Sequence, residues 1–114
     1  MINLSSIAAL RGGGDSYAAS KAAIIGWSYT LAGQLGRDGI TVNVVAPGFV
    51  DQTEFFAGAM TAERRQRLIE ATLVGRAGEP ADVAAAIAYL ASPLAGYVSG
   101  QVLQVNGGAL LGRG

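Results

Sequence analysis

Two side chains that carry much of enzyme chemistry are missing from this sequence. Its 114 residues include no cysteine and no histidine. Without cysteine there is no disulfide framework, thiol nucleophile or thiolate metal site, and without histidine the commonest metal ligand and general base are absent. Catalysis by a serine–histidine or cysteine–histidine pair is therefore excluded, and we expect no metal site.

Charge is also sparse, and it is balanced in sign. Charged residues make up 14% of the chain and apolar residues 51%, whereas about 25% charged is typical. Eight basic residues offset eight acidic ones, so the sequence lacks the basic stripe that indicates nucleic-acid binding. We expect one domain with a real core, and no nucleic-acid partner.

Long apolar runs are missing as well. No stretch approaches the roughly 18 uninterrupted apolar residues of a membrane span. The first residues also lack the basic and apolar regions of a secretory signal. We therefore expect no membrane contact and a cytoplasmic location.

A phenol and an ammonium stand one helical turn apart near the start of the chain. Tyr17 and Lys21 are spaced i, i+4 in a segment rich in helix formers, so they project from one face of a helix. An ammonium at that distance favours the phenolate, and the pair can then act as a general acid and base. The spacing alone is equally compatible with two solvated surface residues.

Strands and helices alternate along the chain. Apolar runs predict strands at Met1 to Leu4, Ile40 to Ala46 and Gln101 to Val105. Capping residues predict helices at Ser16 to Leu35 (capped by Asp15 or Ser16 and ended by Gly36), from Thr61 to about Leu73, and from Glu79 to about Ser92. This alternation favours right-handed parallel crossovers and an α/β sheet.

Two finer expectations concern the helices. Gly26 lies inside the first long helix, where glycine costs about 1 kcal/mol in an exposed position, so we expect it to pack closely against another element. The amphipathic helix from Thr61 is expected to turn its arginines and Glu70 towards solvent.

Four segments, in this order, resemble the short-chain dehydrogenase/reductase family. They are Asn3-Leu4-Ser5-Ser6, Tyr17-x-x-x-Lys21, Asn43-Val44-Val45-Ala46-Pro47-Gly48, and Ser99-Gly100-Gln101 through Val105-Asn106-Gly107-Gly108. The sequence is most similar to the classical branch, which includes 3-oxoacyl carrier-protein reductases. The resemblance implies an α/β fold, namely the C-terminal portion of a Rossmann-like, doubly wound parallel sheet with three strands and intervening helices.

The resemblance also implies roles for particular side chains. Tyr17 would exchange a proton with the substrate oxygen while hydride passes to or from NAD or NADP. Lys21 would assist Tyr17 and hold the ribose hydroxyls, and Ser6, rather than Ser5, would donate a hydrogen bond to the reacting carbonyl oxygen. The implied cofactor contacts are Tyr17, Lys21, Pro47, Gly48, Val50 and Thr53.

Plainer interpretations stand beside these roles. A serine at a strand end commonly satisfies backbone groups, which would account for Ser6. Pro47-Gly48 is most often only a turn. Phe55 and Phe56 suit a core or an interface, although they also fall where the family has its mobile substrate loop.

The family's N-terminal half has no counterpart in these 114 residues. Gly12-Gly13-Gly14 leads into the tyrosine helix, so no strand, glycine-rich loop and helix receive a pyrophosphate. We interpret residues 1–114 as the catalytic and substrate half of such a domain, without its dinucleotide-binding half. Two functions stay open: an NAD(P)-dependent oxidoreductase that interconverts a ketone and a secondary alcohol, and a truncated, inactive chain that acts as an oligomeric structural or interaction module.

The first strand is expected to have an open edge. Its usual neighbour belongs to the missing half, and an exposed apolar edge invites pairing. We therefore expect a homo-oligomer or association with a complementary N-terminal half. Ser6 also precedes Tyr17 by eleven residues, about two fewer than is common in the family, which shortens the loop between them.

Overall fold

A three-stranded parallel sheet organises the fold of the chain, which a computed structural model describes over residues 1–51 and 60–112. The strands are β1 (Ile2–Leu4), β2 (Asn43–Pro47) and β3 (Val102–Val105), and β2 lies between the other two. Ile2 is opposite Asn43, and Val44 is opposite Val102. The predicted α/β class, with three parallel strands and intervening helices, is confirmed.

Four α-helices connect or flank the strands in the described ranges. They are α1 (Ile7–Arg11), α2 (Asp15–Leu35), α3 (Ala62–Glu70) and α4 (Pro80–Ala91). None of the helices in this part of the chain is both long and apolar enough to cross a membrane.

The core centres on β2. Val42, Val44, Val45 and Ala46 are 0% exposed, as suits a β-branched run covered on both faces. Val45 packs with Leu90 of α4 and Ala95, and Ile2 and Leu103 of the outer strands pack against this cluster. The central strand is thereby fixed, and with it the position of its carboxyl end.

The predicted start of β2 is wrong by three residues. The strand begins at Asn43 rather than at Ile40, because β1 offers its first pairing residue, Ile2, opposite Asn43. Val42 is held differently: its N–H donates to the Ser99 hydroxyl at 3.0 Å. The first residues of the β-branched run therefore lie beyond the part of the run that pairs with a neighbouring strand.

Helix α1 was not predicted, and the start of α2 differs from prediction. Gly14, and neither Asp15 nor Ser16, occupies the N-cap of α2, and Asp15 has a φ of 49°. That value lies in the left-handed region, which aspartate tolerates better than most residues. The predicted end of α2 at the Gly36 C-cap is confirmed.

The two later helices follow their capping signals. The Thr61 hydroxyl accepts from the Arg64 N–H at 3.1 Å, and Pro80 occupies the first turn of α4 after Glu79. Helix α3 ends at Glu70, short of the predicted Leu73. It stops there because the Leu73 and Val74 N–H groups donate to the Gly107 carbonyl, at 2.8 and 3.1 Å.

The exposed face of α2 departs from another expectation. A Cβ at Gly26 would meet nothing within 4 Å in the described part of the chain, so the expected close packing is absent there. Trp27 beside it is 60% exposed. Within this part of the chain β1 pairs on one side only, with β2, so its other edge is open as predicted.

Candidate active site

A cavity of about 650 Å³ opens where β1 and β2 end. Residues at the carboxyl ends of both strands line it, together with the start of α1, the first two turns of α2, and residues of α3 and α4. Ligands of parallel α/β sheets bind at this end of the strands, and the volume suits a small molecule.

The structure brings most of the predicted site residues to this one cavity. The predicted residues that line it are Ser6, Tyr17, Lys21, Pro47, Gly48 and Val50. Thr53, the remaining predicted cofactor contact, lies outside the described residues, as do Phe55 and Phe56. Side chains from three separate parts of the sequence are therefore close enough to contact one ligand.

Tyr17 and Lys21 lie on the cavity side of α2. The Lys21 Nζ is 5.6 Å from the centroid of the Tyr17 ring. The i, i+4 spacing on a helix brings the two side chains together. Tyr17 is 39% exposed, so a ligand in the cavity can reach it.

Ser6 caps helix α1. Its extended backbone leaves β1, and its hydroxyl oxygen accepts from the Ala8 N–H at 3.1 Å. This is the plainer role that a serine at a strand end can have. A hydroxyl accepts through its lone pairs and donates its proton, so the cap leaves the Ser6 proton for an acceptor in the cavity.

Ser5 uses its proton within the fold. Its hydroxyl donates to the Lys21 carbonyl at 2.7 Å, and its N–H donates to the Val45 carbonyl at 2.8 Å. The side chain therefore ties the end of β1 to α2. Because its proton is already donated, Ser5 is less suited than Ser6 to donate to a ligand.

Gly48 forms part of the cavity wall where backbones come close together. Its N–H donates to the Val105 carbonyl at 2.9 Å, and a Cβ on it would lie 2.6 Å from the Asn106 Cβ. The approach of the turn after β3 is a structural reason for glycine here, in addition to the approach of a cofactor that the resemblance implies.

Two cationic residues of the cavity were missed from the sequence. Arg11 ends α1 and Arg64 lies on α3, and both line the cavity. Arg11 was missed because α1 was not predicted, and Arg64 because only an outward orientation was expected. A serine N-cap before Ile7-Ala8-Ala9-Leu10-Arg11 is the sequence signal that could have revealed α1.

An ion pair joins α3 to the segment after β2. Arg65 Nε donates to Asp51 Oδ2 at 3.1 Å. This hydrogen bond and the charge of Asp51 raise the pKa of the Arg65 guanidinium above its ordinary value. The pair helps to hold α3, and therefore Arg64, against the cavity.

Residues 1–109 match a family model described as Enoyl-(Acyl carrier protein) reductase. The 3-oxoacyl-(acyl-carrier-protein) reductase of Haemophilus influenzae is 44% identical over 97% of this chain and 46% of its own length. The reductase of the same name from Vibrio cholerae is 40% identical over 95% of this chain and 44% of its own. Nodulation protein G of Azospirillum brasilense is 38% identical over the same shares. The chain thus spans slightly less than half the length of these relatives.

Proposed function

Since the chain belongs to the short-chain dehydrogenase/reductase family, we propose that it supplies the catalytic and substrate half of an NAD(P)-dependent oxidoreductase. The reaction interconverts a ketone and a secondary alcohol. The observation that carries the proposal is that Ser6, Tyr17 and Lys21 line one cavity at the carboxyl ends of the strands.

Tyr17 is the general acid and base in this proposal. In the direction of reduction, its phenol gives a proton to the carbonyl oxygen as hydride arrives at the carbonyl carbon, and in oxidation the phenolate takes that proton back. Lys21, with its Nζ 5.6 Å from the ring, stabilises the phenolate. Ser6 donates to the same substrate oxygen, where negative charge develops.

The cavity fits the nicotinamide part of a dinucleotide. Lys21 offers an ammonium to ribose hydroxyls, and Pro47, Gly48 and Val50 form a largely apolar wall for a flat ring. When bound, the cofactor supplies or accepts the hydride. The 114 residues contain no glycine-rich strand, loop and helix for the pyrophosphate, so that part of the site must come from another segment or chain.

The role of Tyr17 is tested by substitution in an active form that contains this chain. The relatives from Haemophilus influenzae and Vibrio cholerae are named as 3-oxoacyl carrier-protein reductases, so a 3-oxoacyl thioester is the first substrate to use. We expect Tyr17→Phe to lower kcat by about 10²- to 10⁴-fold, because the proton donor is lost. Tyr29→Phe is the matched control, since Tyr29 is on the same helix and outside the cavity lining. A rate retained by Tyr17→Phe would refute the assignment.

Cofactor binding by the chain itself is tested by calorimetric titration with NADH and, separately, with NADPH. Saturable binding would support a dinucleotide site rebuilt by the chain or its oligomer. The absence of binding would favour the alternative function described next.

An inactive interaction module is the second candidate function. The observation in its favour is the combination of an open β1 edge with the exposed Trp27, in a chain without a phosphate loop. It predicts association without dinucleotide binding, and no loss of that association in Tyr17→Phe.

A further inference from the structure

The cavity contains a cation that the proposed mechanism does not use. Arg11 is the last residue of α1, and its side chain lines the cavity. Within the described ranges its guanidinium forms no ion pair, since the two salt bridges there involve Arg65 and Arg76. Its hydrogen-bond donors are therefore available to a ligand.

The lining of the cavity is unevenly charged. Arg11 and Lys21 contribute two cations, and none of the described lining residues is acidic. The chain as a whole has eight basic and eight acidic residues, so this excess is local. A cleft lined by one sign of charge concentrates ligands of the opposite sign.

The position of Arg11 relative to Ser6 constrains such a ligand. Ser6 caps α1 and Arg11 ends it, so their Cα atoms are separated by roughly 7.5 Å along the helix at about 1.5 Å per residue. Ser6 marks the place of the reacting oxygen in the proposed mechanism. A ligand that spans both ends of α1 carries its anion several bonds from the carbonyl, unlike the carboxylate of a 2-oxo acid.

We propose that Arg11 is a specificity-determining residue that binds an anionic group, a carboxylate or a phosphate, carried by the substrate several bonds from its carbonyl. The planar guanidinium offers paired donors that match either group. The inference rests on the proposed function, because Ser6 and Tyr17 define where the carbonyl lies.

The test compares a charged ketone with its neutral counterpart. The chain is titrated calorimetrically with 6-oxoheptanoate and with its methyl ester, each with and without NADPH. We expect the acid to bind about 5- to 10-fold more tightly than the ester, between the values for an exposed ion pair and for a buried charged hydrogen bond.

Three variants test whether the tighter binding of the acid depends on Arg11. Arg11→Gln should abolish it, Arg11→Lys should retain part of it, and Arg37→Gln should leave it unchanged, because Arg37 is outside the cavity lining. An Arg11→Gln chain that still prefers the acid, or a wild-type chain that binds the acid no better than the ester, overturns the proposal.

Two further measurements separate the possible causes. The affinity for NADPH should be the same in Arg11→Gln as in the wild type. If Arg11→Gln instead weakens the binding of NADPH alone, the residue holds a cofactor phosphate, and the substrate assignment is overturned. The proposed function is tested independently of Arg11 by measuring whether NADPH reduces the ketone of the methyl ester in an active form that contains the chain. If the ketone of the ester is reduced but the acid binds no more tightly than the ester, only the Arg11 assignment fails. If the preference is present and Arg11-dependent but no ketone is reduced, the proposed function fails.

Discussion

At the scale of single residues, the cavity wall depends on Gly48 having no side chain. Beyond the contact of 2.6 Å with the Asn106 Cβ, a Cβ there would lie 3.0 Å from the Asn106 Cα, and that backbone atom cannot turn away as a side chain can. Glycine at this position therefore sets how closely the end of β2 approaches the turn after β3.

We expect Gly48→Ala to lower the free energy of unfolding by about 1–3 kcal/mol, because the added methyl overpacks this contact. Gly33→Ala is the matched control: a Cβ added at Gly33 in α2 would meet nothing within 4 Å among the described residues, so the change should raise stability by up to about 1 kcal/mol. Urea unfolding followed by circular dichroism measures both. An unchanged stability of Gly48→Ala would contradict the close approach.

The adjacent serines should respond differently to truncation. Ser6→Ala removes the α1 cap and should cost about 1 kcal/mol of stability, and in an active form it should also lower kcat by about 10²- to 10³-fold. Ser5→Ala removes the bond to the Lys21 carbonyl and should cost a similar stability with a much smaller loss of rate. A larger loss of rate in Ser5→Ala would reverse the assignment of the donor. Thermal unfolding and steady-state kinetics provide the two readouts.

At the scale of elements, the start of α4 is held by an ion pair. Arg76 Nη1 and Nη2 donate to the two carboxylate oxygens of Asp82, at 2.9 and 3.1 Å, and the Glu79 N–H donates to the same carboxylate at 2.8 Å. The Arg76 hydrogen bonds, followed by that of the Glu79 backbone, lower the pKa of Asp82 from 3.8 to about 2.

This lowered pKa predicts how stability depends on pH. The ionised carboxylate is favoured in the folded state, so its contribution is fully present above pH 3.8 and is lost as the pH falls through about 2. Asp82→Asn should therefore unfold at a lower temperature than the wild type at pH 6, and the difference should shrink between pH 4 and pH 2. Asp38→Asn is the control, since Asp38 forms no salt bridge in the described part of the chain. A difference that is constant from pH 6 to pH 2 would contradict the ion pair.

Elements with a local chemical signal could be predicted from the sequence, and those set by their neighbours could not. Thr61 and Pro80 identified the starts of α3 and α4 because capping and proline geometry act within one turn. The end of α3 depends on bonds to Gly107, far along the chain, which no local pattern reveals. Helix α1 has five residues, too few for a periodic pattern.

The same distinction holds for the candidate site. Tyr17 and Lys21 could be paired from their spacing, because a helix alone brings them together. Arg11 and Arg64 reach the cavity through the packing of α1 and α3, so their place there emerges only from the folded chain. The interpretation of residues 1–114 as one half of a domain stays a prediction.

At the scale of the whole molecule, two surfaces are suited to association. One is the open edge of β1, and the other is the exposed face of α2 with Trp27 and Tyr29, which are 60% and 51% exposed. Gly26 leaves room beside Trp27 for close contact with another element.

We expect the purified chain to associate in a concentration-dependent way, because these apolar surfaces gain from burial. Trp27→Glu should shift the average mass measured by sedimentation towards the monomer, whereas Leu94→Glu, which is exposed outside α2, should not. A wild-type chain that stays monomeric at high concentration and binds no apolar dye would contradict the prediction.

The hydrogen bond from Ser5 to the Lys21 carbonyl has a consequence for how the glycine loop between α1 and α2 can change. It joins positions 16 residues apart and closes the intervening segment at its base. Doubling the length of a flexible loop costs only about 0.6 kcal/mol of closure entropy. Insertions or deletions among Gly12, Gly13 and Gly14 can therefore reshape the rim of the cavity near Arg11 while Ser6 and Tyr17 keep their relative places. This loop is thus where substrate preference can diverge without a change in the proton-transfer pair.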